Sequence, residues 1–492
     1  MTDYVYQLTA IFLYLIGMVL IGFYAYKKVH NLSDFMLGGR SLGPAVSALS
    51  AGAADMSQWL LMGLPGAIYA AGLVEAWIAI GLTIGAWLNW KLIAPRLRVY
   101  TQVSNDSITI PSFFDNRFKQ NAKFLRIVSG LIIFVYFTFY VSSGMVAGGV
   151  FFESSFGYDY HVFLLVVATV ILIYTLFGGF LAVSYTDFVQ GTIMFFALIL
   201  VPVIGLWKAG GIQETVESIR HVDPNLLSFT ANATVFSVVS SLAWGLGYFG
   251  QPHIIIRFMA IKTAKEIKQA RRIGIGWMIL TLGGAVLSGL IGVANFHQNT
   301  EVVLSDPEAV YISMGQMIFH PFIAGIMLAA VLAAIMSTVS SQLIVISSAL
   351  VEDIYKAVFK RDGSDKRYIL LGRLAVLAVS VVAVCFAWEQ SDTILNLVAF
   401  AWAGFGAAFG PIIILALYWR KITGIGALCG MIVGAVTVFI WGNSALSDTL
   451  YEIVPGFLLN ILVTVVVSIV TYQPNHEIEK EFNETLELLR KD

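Results

Sequence analysis

Runs of about 20 mostly apolar residues, the length of helix that crosses a bilayer, follow one another along nearly the whole chain. Thirteen can be read, near 5–26, 44–70, 73–95, 127–152, 161–183, 187–208, 232–256, 273–295, 321–350, 370–388, 393–419, 424–442 and 453–472. The fifth and sixth are separated only by a short turn, GGFLAVSYTD. Charged residues make up 12% of the sequence against 58% hydrophobic, roughly half the charge of a soluble domain. A single water-soluble core is excluded, and the expected fold class is an all-α polytopic membrane protein of about 13 transmembrane helices.

The charges set a direction. The sequence begins MTDYVYQ and places Lys27 and Lys28 after its first apolar run, which predicts a permanent span with the N-terminus outside, not a cleaved leader. With that orientation, 27 of the 29 Lys and Arg residues fall in the segments around 27–40, 91–126, 257–272, 356–373 and 420–421 and in the tail. All of these are then cytoplasmic, in keeping with the positive-inside bias, and only Lys208 and Arg220 lie outside. The expected location is the bacterial inner membrane, with the C-terminus cytoplasmic. The tail after Tyr472 reads as a short solvated helix, too small for an enzymatic domain. Segments 208–228 and 296–320 are the main outside loops. A net charge of −1 gives no electrostatic case for nucleic acid. Cys385 and Cys429 both sit in apolar runs, where packing is the expected role and no disulfide framework is implied.

Two runs are interrupted. The second, SALSAGAADMSQWLLMGLPGAIYAAG, carries Gly52, Gly63, Pro65 and Gly66; the seventh, SSLAWGLGYFGQPHIIIRF, carries Gly245, Gly247, Gly250 and Pro252. They lie five runs apart. A five-span unit repeated once crosses the membrane in opposite directions, so runs 2–6 and 7–11 are expected to be inverted repeats, each opened by a broken helix. Paired interruptions of this kind point to a transporter's binding site. The expected organisation is a leading span and loop (1–43), repeat 1 (44–208), an outside loop (209–231), repeat 2 (232–419), two trailing spans (420–472) and a tail (473–492).

Polar residues at membrane depth mark candidates. Asp55 lies about a dozen residues into the second run, with Ser50, Ser57 and Gln58 nearby; a carboxylate there needs a partner, a cavity or an ion. The ninth run contains LAAIMSTVSSQ, with Ser337 and Thr338 adjacent and Ser340 and Ser341 one turn on. Such hydroxyls serve helix packing or back-bond to helical carbonyls, or, with carbonyls freed at a break, supply the oxygen donors that a hard cation wants. Trp59, Tyr140, Trp244 and Tyr248 flank the breaks, as packing aromatics or as walls of a pocket for a small ring-bearing amphiphile. No HExxH and no metal-spaced Cys/His cluster is present, and no enzymatic activity is expected.

The segments MLGGRSLGP (36–44), AADMSQWLLMGLPGA (53–67), FGGFLAVSYTDFVQG (177–191), WGLGYFGQPHIIIRFMA (244–260), LAAIMSTVSSQ (332–342) and AFAWAGFGAAFGP (399–411) resemble, in order and across all thirteen runs, the sodium/solute symporter family. The resemblance implies the leucine-transporter type of 5+5 inverted-repeat fold, with one leading and two trailing helices. It also implies sodium-coupled symport of L-proline into the cell by alternating access. Na+ is then a co-transported ion, and no protein partner is obligatory. The alternatives are another small organic solute, such as pantothenate, a sugar or another amino acid, or a membrane sensor with a transporter-like domain. By the same resemblance, carbonyls of Ala53, Met56 and Ala334 with hydroxyls of Ser337 and Thr338 bind sodium. Asp55, Arg40 and Asp187 act in ion coupling, and Ser57, Trp59, Gly63, Tyr140, Trp244, Tyr248 and Pro252 bind substrate. Ala54 and Gln58 depart from the proline-transporter pattern, where serine and glycine are usual; the departures bear on affinity and ion preference.

Overall fold

The computed structural model describes residues 2–28, 31–119, 122–299, 304–356, 365–389 and 392–491. Among these, ten helical stretches are long and apolar enough to cross a membrane, and two shorter apolar helices, Tyr160–Ile173 and Val235–Gly250, accompany them. One of the ten, Trp59–Val103, is 45 residues long. At 1.5 Å per residue it would reach about 68 Å, twice a hydrocarbon core of about 30 Å, so it has to turn. It does so at Gly72, in the left-handed region at φ 83°. The thirteen expected runs therefore recur in order.

In sequence the helices are α1 (Thr2–Tyr26), α2 (Pro44–Asp55), α3 (Leu64–Ala71), α4 (Ala76–Leu88), α5 (Ala94–Val103), α6 (Ile110–Phe118), α7 (Ala122–Phe156) and α8 (Tyr160–Lys208). Then come α9 (Val235–Ala243), α10 (Pro252–Ala260), α11 (Ile267–Gln298), α12 (Pro321–Ser348), α13 (Asp365–Phe386), α14 (Ile394–Tyr418), α15 (Gly424–Gly442), α16 (Ile453–Thr471) and α17 (His476–Lys491). The two interrupted runs are broken as expected. In the first, α2 stops at Asp55, the backbone leaves the helix at Met56, and helix resumes at Trp59 as a wide turn to Gly63 that runs on into α3. In the second, α9 gives way at Trp244 to a tight turn of helix, and α10 restarts with Pro252. Proline suits the restart at Pro252, because the N–H it lacks would have no helical partner there.

Packing places both breaks at the centre. α2 lies against α8, α11, α10 and α12, while the Trp244–Gly250 turn lies against α14 and α4. α1 covers α8 and α12, and α15 and α16 pack on each other and on α14. α12 is buried along almost its whole length. The apolar exposed residues, such as Leu20, Val203, Leu287 and Val470, belong on the perimeter that lipid covers.

Three details depart from the sequence expectations. The boundary between the fifth and sixth runs lies at Gly179 (φ 58°, ψ −157°), not across GGFLAVSYTD, and residues 180–187 are helical. The reason is local: only glycine adopts that backbone readily, and a Cβ there would meet Cδ2 of Phe35 at 2.6 Å and its carbonyl oxygen at 2.9 Å. The tail is docked, not solvated. α17 packs on α5, Phe482 is buried against Tyr100 with ring centroids 6.1 Å apart, and Lys119 bridges Glu477 and Glu481. The sequence pattern EIEKEFNETLELLRKD hides this because its apolar stripe is only a few residues wide. Cys385 is exposed on its helix and not packed, while Cys429 is half-buried; both are free. Lys360 and Arg361, counted in the fourth basic segment, lie outside the described residues.

The substitution Gly179→Ala is expected to destabilise the protein by about 1–3 kcal/mol, from backbone strain and the overlap with Phe35. A fall in the unfolding temperature of the purified protein, measured by a thermal-shift assay, checks this; an unchanged temperature would show that the break tolerates a side chain.

Candidate functional site

The first break ends at α12. Ser337 Oγ donates to the carbonyl of Ala53 at 2.8 Å and stands 3.1 Å from that of Ala334, and Thr338 Oγ1 lies 3.4 Å from the same Ala53 oxygen. All four residues are buried. Met56, also buried, follows at the break itself, with a non-helical backbone (φ −75°, ψ 71°). The sequence-predicted sodium ligands thus sit on the two sides of one helix contact. Hydroxyl and carbonyl oxygens without a fixed charge suit a monovalent hard cation.

The second break approaches from the other side. The Tyr248 hydroxyl donates to Oδ2 of Asp55, joining the two broken helices, while Asp55 Oδ1 has no hydrogen-bond partner among the described residues. Ser57 Oγ and the Tyr140 hydroxyl are 3.4 Å apart. Trp59 donates its indole N–H to the Asp55 carbonyl at 3.2 Å, and its ring lies 6.3 Å from that of Trp244. Trp244, Tyr248 and Trp402 then form one aromatic group: Trp402 donates to the Trp244 carbonyl at 2.8 Å and meets Tyr248 edge-on at 5.2 Å. Pro252 lies one step further along, where His253 meets the Tyr140 ring edge-on at 6.0 Å. Gly63 stands apart from the rings, packed against Leu395 at the start of α14. Such a group offers apolar walls with a few fixed polar atoms, as small-solute sites do.

Asp187 belongs to a third cluster. Its Oδ2 pairs with Arg257 at 3.0 Å and takes hydrogen bonds from Ser50 at 2.7 Å and Ser341 at 3.5 Å; all four side chains are buried. Arg257 also donates to Ser50 at 3.0 Å, to Ser341 at 2.6 Å and to the His253 carbonyl. Counting Arg257 with the basic loop after the seventh run is therefore wrong. It is fully buried, since α10 carries it inward to the carboxylate of Asp187. Arg40 lies elsewhere, at the loop end of the bundle. It pairs with Asp106 at 2.9 Å and donates to the carbonyls of Met259 (2.7 Å) and Ser107 (2.8 Å).

Three residues of the site carry no role in the sequence reading. Arg257 and Trp402 both lie inside segments singled out there, WGLGYFGQPHIIIRFMA and AFAWAGFGAAFGP, but nothing in a single sequence pairs them with Asp187 and Trp244. Gln58, noted only as a departure, donates to Ser143 at 2.8 Å and leaves its buried Oε1 without a partner among the described residues.

Removing one member of the buried pair, as in Asp187→Ala or Arg257→Ala, strands the other charge and is expected to cost about 3–5 kcal/mol. Removing both, as in Asp187→Ala with Arg257→Ala, should cost clearly less than the sum. A double-mutant cycle on unfolding temperature measures this, and additive penalties would show that the two groups do not interact.

On one side of the aromatic group the bundle opens. A cavity of 990 Å³ reaches Trp244 and Tyr451 and is lined from α9, α14, α15 and the segment before α16.

Known proteins resemble this chain over nearly its full length. It is 60% identical over 467 residues to the high-affinity proline transporter PutP of Bacillus subtilis, covering 95% of this chain and 98% of that one. It is 55% identical to the osmoregulated proline transporter OpuE of the same organism (94% of each chain). It is 49% identical to a sodium/proline symporter of Staphylococcus aureus (97% and 95%). Among solved structures, a substrate-bound, outward-open Na+-coupled sialic acid symporter superposes with a TM-score of 0.82 at 19% identity, covering 95% of this chain and 98% of that one. The nucleobase-cation transporter Mhp1 does so with 0.54 at 14% (92% and 99%); both likenesses are of fold alone. The model of the sodium:solute symporter family matches residues 35–434, and the chain belongs to that family.

Proposed function

We propose that this multi-pass membrane protein is a secondary active transporter that carries L-proline into the cell together with sodium, by alternating access and with no chemical step. The observation that carries the reading is the meeting of the first break with α12. Ser337 and Thr338 share the Ala53 carbonyl two residues before Asp55, which is bonded to Tyr248 of the second break. The names of relatives at 49–60% identity support proline and sodium as the solutes. Ala53, Met56, Ala334, Ser337 and Thr338 hold sodium. Ser57, Trp59, Tyr140, Trp244 and Tyr248 form the proline site, which Pro252 and Gly63 shape from either end. Asp55, Asp187 and Arg40 act in coupling: Asp55 joins the two breaks through Tyr248, Asp187 fixes α10 through Arg257, and Arg40 holds the end of α10 from the loop side. Repeat 1 spans 44–208 and repeat 2 spans 232–419; the N-terminus lies outside and the C-terminus in the cytoplasm.

A cation bridging α2 and α12 orders the neighbouring pocket, so sodium tightens proline and, by linkage, proline tightens sodium by the same factor. Purified protein in proteoliposomes is expected to accumulate labelled proline only with an inward sodium gradient, and unlabelled sugar or pantothenate should not compete. Accumulation without sodium, or competition by those solutes in place of proline, would overturn the reading.

Within that assay, Ser337→Ala should raise the sodium concentration for half-maximal uptake about tenfold or more, the weight of one contact to a charged group. Proline affinity at saturating sodium should change little. By contrast, Trp244→Ala should weaken proline binding by about 1–3 kcal/mol, typical of stripping a packed aromatic wall. Titration of labelled proline against sodium in each variant separates the two effects.

A further inference from the structure

The 990 Å³ cavity is lined by four carboxylates, Glu75, Asp392, Asp448 and Glu452, and by no Lys, Arg or His among the described residues. The rest of its polar lining is mainly serine and threonine hydroxyls and asparagine side chains. Asp392 and Asp448 are exposed and only tune a field, while Glu75 is half-buried. Glu452 is different, because it is 7% exposed and yet faces the cavity. The donor near its carboxyl is its own backbone N–H, and burial raises that carboxyl above its ordinary range. No ion pair to it is formed among the described residues.

Its position is fixed on both sides. Tyr451 N–H donates to Ser240 Oγ at 3.0 Å, and the Tyr451 hydroxyl donates to the Ala399 carbonyl at 2.6 Å. The Tyr451 ring stacks on Trp244 at 5.5 Å. Behind it, Gly442 lies beside the Glu452 carboxyl, at a distance where even a Cβ would only touch Cδ, 3.5 Å away. A buried, unpaired carboxylate held one residue from the ring that covers Trp244 calls for a cation from solution. A zwitterionic amino acid carries no net charge into this lining, whereas sodium is a bare cation that accepts carboxylate and hydroxyl oxygens alike.

We propose that Glu452 anchors a second, vestibular sodium site, in which the ion is held before it passes Trp244 to the oxygens of Ala53 and Ser337. The inference rests on the symport reading above.

The test is binding of ²²Na+ to the purified full-length protein by scintillation proximity, with proline uptake measured in parallel. Glu452→Gln should remove the more weakly bound part of the sodium curve and raise the sodium concentration for half-maximal uptake several-fold. Proline affinity at saturating sodium should stay unchanged, and Glu452→Asp should restore part of the loss, which a misfolded variant cannot do. The shift should persist in high N-methyl-D-glucamine chloride, since a buried group is screened less than a surface field. A wild-type sodium curve in Glu452→Gln overturns the site. So does a shift that vanishes at high ionic strength, which would mark diffuse steering, or one that moves proline affinity in place of sodium. Wild-type protein without sodium-dependent uptake would instead fail the symport reading, and the ²²Na+ curves would still decide the role of Glu452.

Discussion

A guanidinium buried at membrane depth costs several kcal/mol unless it is paired and its remaining donors are satisfied, and the centre of this bundle is arranged around one. Arg257 reaches the Asp187 carboxylate of α8, Ser50 of α2, Ser341 of α12 and the His253 carbonyl of its own helix. Its planar fork can serve several directions at once, so one side chain holds the second broken helix to the first and both to α12. The break at Gly179 follows from the same demand. Starting the second half of α8 there, eight residues before Asp187, makes Asp187 part of a helix that faces α2.

The polar contacts at the two ends of the bundle are unequal. At the loop end, Arg40 and Arg98 donate to the carbonyls of Met259 and Ile261, at 2.7 Å in both cases, and Leu42 pairs with the chain after α10 as a short parallel bridge. The exit of the second broken helix is thereby tied to the approach of the first. At the other end, Glu308 caps α14 by accepting the N–H groups of Ile394 (3.0 Å) and Leu395 (3.2 Å), and its backbone rests on Gly66 of α3. The acidic cavity opens at that same α14 end, between α9, α14 and α15. In the proposed alternating access these few directional hydrogen bonds at each end are the ones to exchange, with the Arg257 cluster lying between them.

Much of this was legible in the sequence, for physical reasons that differ by element. Span length and the excess of apolar residues are imposed by the bilayer, so the thirteen runs could be counted. Glycine and proline mark a broken helix, so the second interruption was visible at Gly250–Pro252; the glycines and Pro65 of the second run pointed to an interrupted helix too, but the chain leaves the helix at Met56, several residues before Gly63. Asp55 and Ser337 stood out because oxygen-rich side chains are rare at depth. What stayed hidden were pairings between distant segments. Arg257 ends an apolar run and looks like a loop charge until α10 turns it toward Asp187. Phe482 sits in a strongly charged tail, and its pocket is built from Tyr100, Arg117 and Arg420, more than sixty residues away in each case. Nothing in the sequence marks Glu452, at the end of a polar loop, although folding leaves it almost fully covered.

The spacing within the first break also explains how an ion and a neutral solute can be obliged to travel together. Ala53 offers its carbonyl to Ser337 and Thr338 on one side; two residues on, Asp55 meets Tyr248 on the other, and Ser57 meets Tyr140. A helix would space these groups around its surface by about 100° per residue. At the end of α2 and across the break at Met56, the alternate residues Ala53, Asp55 and Ser57 address three different elements. Rigid backbone over so short a stretch cannot be displaced at Ala53 without moving Asp55, so a cation that fixes the Ala53 carbonyl also fixes the carboxylate that holds Tyr248. On the proposed reading the end of α2 and its break are the coupling element, and the polar backbone exposed at Met56 is the cost of putting three partners within residues 53–57 of the chain.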